Sequence, residues 1–312
     1  MTPQEPSVAA FKNPFARYFA ATRPAFLTAS LMACLIGLAV TRQGSASFET
    51  TLALVTLLFA MLAHAAANVL NDYYDAQNGT DAANVERIFP FTGGSRFIQN
   101  GVLTSVQTRN FGFALLSGVA LAGFWLMLRT DFQLVYIGLA GLFIGWAYSA
   151  PPFRLNSRGW GELCIVAGFL LIVVGADFVQ RRAYSPAPFI AGLSYALLAA
   201  NLLYINQFPD RTADRAAGKL HWVARLSVPQ ARWGYVLIVL LAYLWLVMSV
   251  ALGELPVAAL LALLALPLSV QAARLLLRHA HQPQQLGGAI KLTIAAMLLH
   301  GALLSLALLI GN

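Results

Sequence analysis

Residues 71–81 read NDYYDAQNGTD, and residues 206–219 read NQFPDRTADRAAGK. Asn71 and Asp75 are four residues apart, as are Asn206 and Asp210, and Asp210 and Asp214. Residues four apart share one face of a helix, so each stretch predicts a short stack of oxygen ligands. Six of the twelve acidic residues fall in these two regions or, for Glu86, just after the first: Asp72, Asp75, Asp81, Glu86, Asp210 and Asp214. Carboxylates crowded in this way repel one another unless a cation lies between them. Hard oxygen donors with no Cys or His beside them suit Mg²⁺, which prefers to share its shell with phosphate. The flanking Arg87, Arg96, Arg211, Arg215 and Lys219 suit phosphate oxygens directly. Carboxylates, Mg²⁺ and cations together are the chemistry of a diphosphate. Asp and Asn also favour helix ends and turns for their own sake, but one spacing repeated after two apolar runs favours a site. A calcium loop starting at Asp75 would put Glu86 at its twelfth position, yet Thr80 stands where that loop needs Gly.

The elements that carry these stretches belong in a bilayer. The chain has 312 residues, 59% hydrophobic and 10% charged, against about 25% charged in a soluble domain. Apolar runs long enough to span a membrane lie near 25–41, 51–70, 111–128, 133–150, 163–179, 187–205, 233–252, 255–272 and 292–311. The fold class expected is an all-α polytopic membrane protein, with nine transmembrane helices around a central apolar cavity open to the cytoplasmic side. Residues 1–312 form one membrane domain, with 1–20 as a cytoplasmic N-terminal segment. The first run lacks the cleavage pattern of a signal peptide and counts as the first helix.

Sixteen of the twenty Lys and Arg residues fall at the N-terminus or after even-numbered spans; Arg42, Arg129, Arg181 and Arg182 fall on the other side. Positive residues mark the cytoplasmic side. This accounts for the net charge of +8 without a nucleic-acid partner. The two long loops expected, about 71–110 and 206–232, are on that same side, and loops of such length are commonly functional. Cys34 and Cys164 fall in or beside apolar runs and read as packing residues.

With YSAPPFRLNSRGWGEL (148–163) between them, and TRPAF (22–26) opening the first span, the two acidic stretches resemble the UbiA superfamily of intramembrane aromatic prenyltransferases. NDYYD followed by Asn-Gly-x-Asp is similar to the menaquinone-type branch, the dihydroxynaphthoate polyprenyltransferases. GGSRFIQNG (93–101) and the LHWVARLS that follows Lys219 depart from that branch's usual loops. The resemblance implies nine helices, Mg²⁺, a prenyl diphosphate and a small aromatic acceptor as ligands, and no obligate protein partner. It implies a catalytic and metal-binding set of Asp72, Asp75, Asp210 and Asp214, with Asp81 as a further metal ligand. Asn68, Asn71, Asn206, Lys219, Arg96, Arg154 and Arg23 would bind substrate.

Tyr148 would either face the allylic cation with its π cloud or serve as a membrane-interface tyrosine. Arg154 and Arg158 would meet the acceptor's carboxylate or the diphosphate, and Glu162 would pair with one of them. Asp177, far from that face, is expected to pair with Arg181 or Arg182, and His64 and His300 to be packed or hydrogen-bonded. Two other readings remain. Another acceptor, such as hydroxybenzoate or homogentisate, would use the same fold. A secondary transporter with Asn/Asp cation sites would place them near mid-membrane.

Overall fold

The computed structural model describes residues 4–43 and 48–311. Every regular element among them is a helix, with no strand. The helices are α1 (Pro14–Ala21), α2 (Pro24–Arg42), α3 (Thr50–Gln77), α4 (Thr80–Ala83), α5 (Ser105–Arg129), α6 (Leu134–Ala147), α7 (Gly161–Arg181), α8 (Ala187–Ala216), α9 (Trp222–Arg225), α10 (Val228–Ala251), α11 (Leu266–His279) and α12 (Gly287–Ile310). A 3-10 run, Val257–Ala265, leads into α11 and lengthens it.

Eight of these segments are long and apolar enough to cross a bilayer. The expected span at 133–150 is instead the 14-residue α6, short of the roughly 20 residues a full crossing takes. Leu121, Leu128 and Tyr136 on α5 and α6 are exposed and line neither the apolar nor the polar cavity of the fold, as expected of side chains facing hydrocarbon.

Helices consecutive in the chain pack on one another, and α12 closes against α2. The main core is built from α2, α7, α8, α10, α11 and α12, where Ala33, Ala191, Ala196, Ala262, Ala272 and Ala307 are almost fully buried. Small residues let membrane helices approach closely, so that dispersion supplies the cohesion that hydrophobicity does not. Away from this core, α2, α3, α5, α6, α7 and α8 diverge around an apolar cavity of about 790 Å³, to which α12 adds only Met297. The cavity therefore lies among the earlier helices and not at the centre of all of them.

α3 and α8 run past the end of their apolar stretches, to Gln77 and Ala216. At 1.5 Å per residue a 28-residue helix is roughly 42 Å long, against a hydrocarbon core of about 30 Å. Asp72, Asp75, Asp210 and Asp214 therefore sit in the last turns of two long helices and not in loops, while Asp81 follows in the short α4 and Lys219 just beyond α8. On α3, Asn71 donates to Asp75 Oδ2 one turn on, at 3.0 Å. Within α8, Pro209 removes one backbone donor between Asn206 and Asp210.

Candidate active site

The last turns of α3 and α8 face each other across a polar cavity of about 110 Å³. Of the residues expected to form the site, Asn71, Asp75, Asp81, Asn206, Asp210, Asp214, Lys219, Tyr148 and Arg23 line it. Lys219 joins the two acidic stretches: its Nζ is 2.9 Å from Asp75 Oδ2 and 3.7 Å from Asp214 Oδ1. Burial opposes the ammonium charge, but the Asp214 and Asp75 carboxylates outweigh it and hold the lysine well above its ordinary pKa. Asp81 behaves in the opposite way. Burial first, and then the neighbouring Asp75 and Asp72 carboxylates, push its carboxyl well above the usual range.

The loop from Asn84 to Gly101 folds back over these acids. Asn84 Nδ2 and the Gly93 backbone N–H donate to the two oxygens of Asp210, the latter at 3.4 Å. Ser95 N–H donates to Asp72 Oδ1 at 3.1 Å. Gly93 and Gly94 have φ of +77° and +71°, a left-handed conformation that glycine adopts without strain. A Cβ on Gly94 would come within 2.6 Å of Asp81 Oδ2. GGSR is thus built to bring backbone close to carboxylates.

Four expected residues fall elsewhere. Asp72 is buried, is held by Ser95, and does not line the polar cavity. Asn68 faces the apolar cavity and donates to the Thr22 carbonyl at 3.1 Å. Arg96 is buried, donates to the backbone carbonyl of Asp81, and reaches Glu5 at 3.8 Å. It fastens the loop to the N-terminal segment and is not among the cavity residues. Burial, together with nearby Arg87, lowers its pKa. Arg154 is exposed and lines neither cavity.

Other cations are likewise engaged in structure. Arg87 is bound to Glu5 at 2.6 Å, Arg211 donates to the Val223 and Leu226 carbonyls, and Arg158 donates to the Pro152 carbonyl. Glu162 accepts from Gln207 at 2.8 Å rather than from an arginine. At the far end of α7, Asp177 does pair with Arg181, at 2.9 Å, and accepts from Thr41.

Several cavity residues were not anticipated: Thr80, Asn84, Thr92, Asn156, Gln207 and His221. His221 is the most informative. Its Nδ1 accepts the Ala224 backbone N–H at 3.2 Å and so caps α9. The hydrogen is therefore on Nε2, which donates to Asp214 Oδ2 at 2.9 Å.

No group of three or more His, Cys, Asp and Glu side chains among the described residues is arranged to hold a metal ion by itself. The donor chemistry nevertheless suits a hard cation that shares its shell with a ligand. Buried oxygens of Thr80, Asn84, Asn206, Gln207 and Asp214 have no hydrogen-bond partner, and all five residues line the polar cavity. Buried acceptors left unpaired are costly, and a cation or its water shell would relieve them.

The polar and apolar cavities have Arg23, Asn71, Tyr148, Leu203 and Asn206 in common, so a charged chamber and a greasy one adjoin at a neck made by these five residues. The chain matches the UbiA prenyltransferase family over residues 30–309. It belongs to that family.

Among its relatives is the 2-carboxy-1,4-naphthoquinone phytyltransferase of Synechocystis sp., 27% identical over 280 residues, covering 86% of this chain and 85% of that protein. The 1,4-dihydroxy-2-naphthoate octaprenyltransferase of Bacillus subtilis is 27% identical, covering 93% of this chain and 91% of that protein. The Escherichia coli protein of the same name is 31% identical, covering 67% and 68%. In fold the chain resembles a UbiA homolog from Archaeoglobus fulgidus bound to DMAPP and Mg²⁺. The TM-score is 0.60 at 16% identity, covering 94% of this chain and 99% of that one. This UbiA-family chain is a membrane-embedded prenyltransferase.

Proposed function

We propose that the protein transfers a prenyl group from a prenyl diphosphate to an aromatic acceptor, 1,4-dihydroxy-2-naphthoate, with Mg²⁺, in the cytoplasmic membrane of a bacterium. Residues 1–312 act as one membrane domain, and the count of nine crossings takes α6 as the short one. The acidic chamber faces the cytoplasm, in keeping with the side on which Lys and Arg concentrate. The observation that carries this reading is that a carboxylate-rich chamber of about 110 Å³ adjoins an apolar one of about 790 Å³, with five neck residues lining both. A prenyl diphosphate is divided in the same way between head and tail. The acceptor is supported by two relatives named for 1,4-dihydroxy-2-naphthoate and one named for a carboxylated naphthoquinone.

Asp75, Asp210 and Asp214 would hold Mg²⁺ with the diphosphate, supported by Asp81 and the free oxygens of Asn206 and Gln207. The metal would supply Lewis-acid stabilisation of the departing diphosphate. Lys219 would move from Asp75 to the phosphate oxygens, and Arg23 at the neck would add a second cation. Asp72 acts through the loop it holds. The allylic C–O bond breaks with its electron pair going to diphosphate, and an aromatic carbon then bonds to the allylic carbon. With dihydroxynaphthoate the bond from the ring to its carboxylate then breaks, its electron pair returning to the ring as CO₂ leaves. Tyr148 and Asn206 at the neck would flank the allylic carbon, and the apolar wall excludes water from the cation.

The test supplies the purified protein in lipid nanodiscs with labelled prenyl diphosphate, Mg²⁺ and a panel of hydroxybenzoate, homogentisate and dihydroxynaphthoate. Labelled product is expected with the naphthoate and is lost on chelation. No product with any aromatic acceptor would sink the reading.

A further inference from the structure

The large cavity is not apolar throughout. Away from the neck its wall contains Ser30 on α2 and His64 on α3. Thr56, also in the wall, is satisfied by the Leu52 carbonyl of its own helix at 2.7 Å. Ser30 and His64 are satisfied differently: Ser30 Oγ lies 2.9 Å from His64 Nδ1. Helical serines commonly donate to the carbonyl one turn back. Ser30 has no such bond, and Nδ1 is its single partner among the described residues. Assigning its hydroxyl hydrogen to Nδ1 gives that hydrogen a partner, and with this assignment the imidazole hydrogen is on Nε2. Nε2–H has no partner among the described residues and belongs to a ring that lines the cavity. A prenyl chain offers a donor nothing, and a donor shut in hydrocarbon without a partner is costly.

The position of the pair matters as much as its chemistry. His64, Asn68, Asn71 and Asp75 fall at i, i+4, i+7 and i+11 on α3, one face leading from the cavity interior to the acidic chamber. His64 is about 10 Å from Asn71 along the helix axis, at 1.5 Å per residue. The Phe169 ring meets the imidazole edge to face, 5.8 Å away at 87°. Arg23 lines this cavity as well as the polar one. On α5 and α6, by contrast, the wall is apolar and includes Gly123, Gly138, Gly141 and Gly145. One part of the cavity suits a hydrocarbon tail, and the other offers a flat ring an aromatic neighbour and a hydrogen-bond donor.

We propose that Ser30 and His64 recognise the aromatic acceptor: Nε2–H donates to a ring oxygen remote from the carbon that is prenylated, and Ser30 fixes the imidazole for that bond. This inference rests on the aromatic-acceptor reading above. It assigns specificity for an acceptor with an oxygen on its far edge. An acceptor without one leaves the donor unpaired and is disfavoured.

The experiment uses the full chain in nanodiscs, with 1,4-dihydroxy-2-naphthoate and 1-hydroxy-2-naphthoate as paired acceptors. The wild type should favour the dihydroxy acceptor by about tenfold in kcat/KM, the order of one hydrogen bond. His64→Leu should raise the acceptor KM about tenfold, leave the KM for prenyl diphosphate unchanged, and abolish the preference. His64→Gln should restore most of it, and Ser30→Ala should give a smaller shift in the same direction. An unchanged acceptor KM, a retained preference, or a shift confined to prenyl diphosphate would overturn the inference and leave the proposed function standing. A wild type that binds Mg²⁺ and prenyl diphosphate yet prenylates no aromatic acceptor would overturn both. If His64→Leu does not fold, Ser30→Ala decides alone, because an unaltered acceptor KM there also overturns the assignment.

Discussion

Lys219 Nζ sits 2.9 Å from Asp75 Oδ2, which ties the loop after α8 to the last turn of α3. With Asp214 3.7 Å away, the ammonium stands between the two acidic stretches, where a metal and a diphosphate are expected to bind. It pairs with those carboxylates and, on the proposed function, would compete with Mg²⁺ for them. Charges about 4 Å apart near a protein surface interact by about 4 kcal/mol, so the competition is not small. Lys219→Met should therefore bind Mg²⁺ alone at least about tenfold more tightly, a conservative fraction of that energy, while prenyl transfer falls by more than about a hundredfold as the diphosphate loses a charged partner. Titration with Mn²⁺ by electron paramagnetic resonance, beside turnover, checks both. Weaker metal binding in the variant would mean that the lysine organises the carboxylates rather than guarding them.

Asp81 supplies a pH dependence of definite sign. Burial and the Asp75 and Asp72 carboxylates raise its pKa in the folded protein, so the folded state holds a proton that the unfolded state gives up. Where the native state binds more protons, stability falls as pH rises. This contribution is thus full at pH below the ordinary aspartate pKa and declines as pH climbs toward the raised one. On the proposed function Mg²⁺ would displace that proton, so metal affinity should rise over the same interval. Asp81→Asn should flatten both slopes relative to wild type, as melting temperature and Mg²⁺ titration across pH would reveal. Slopes unchanged in the variant would remove Asp81 as their source.

His221 acts through Asp214. Its two nitrogens serve two elements: one caps α9 and the other holds Asp214 Oδ2. His221→Ala should lose a cap worth about 1 kcal/mol and free Asp214 to turn. The expected result is a kcat lower by roughly ten- to a hundredfold, the cost of misplacing a group at the reacting centre, with a modest fall in melting temperature. His221→Asn, which retains a capping oxygen, should recover the stability but not the rate. Recovery of both would reduce the histidine to a helix cap.

The acidic stretches were legible because Asn and Asp repeat at helical spacing, and the i,i+4 bond from Asn71 to Asp75 bears that spacing out. Their setting was less legible. Hydropathy ends with Leu70, yet α3 continues to Gln77, because polar residues extend a helix as readily as apolar ones once its turns are formed. Cations were harder still to assign. The sidedness of Lys and Arg reflects topology and cannot tell Lys219, which joins the site, from Arg96, which fastens a loop, or Arg154, which faces solvent. The GGSR loop could not be read at all, since its contacts to Asp72 and Asp210 join residues 23 and 117 positions apart.

Arg154 gives a prediction opposite to the one its sequence suggests. It is exposed and lines neither cavity. Arg154→Ala should retain turnover within about twofold, the usual scale of a surface substitution. A tenfold loss would mean that its segment swings into the site during the reaction.

The cavity wall on α6 should set the length of prenyl chain that fits. Gly138, Gly141 and Gly145 line it, and a Cβ added at any of the three meets nothing within 4 Å. A larger side chain there would extend into open space instead of pushing helices apart, so it should fill the cavity without the overpacking cost of a tight core. Leucine or phenylalanine at Gly141 should leave transfer from a short prenyl diphosphate near wild type and reduce transfer from a long one at least about tenfold, the scale of one or two methylenes shut out of an apolar pocket. Competition between geranyl and octaprenyl diphosphate, read by product mass, measures this. Equal loss with both lengths would point to damage at the neck. Unchanged selectivity would mean that the tail leaves the cavity toward lipid before it reaches α6.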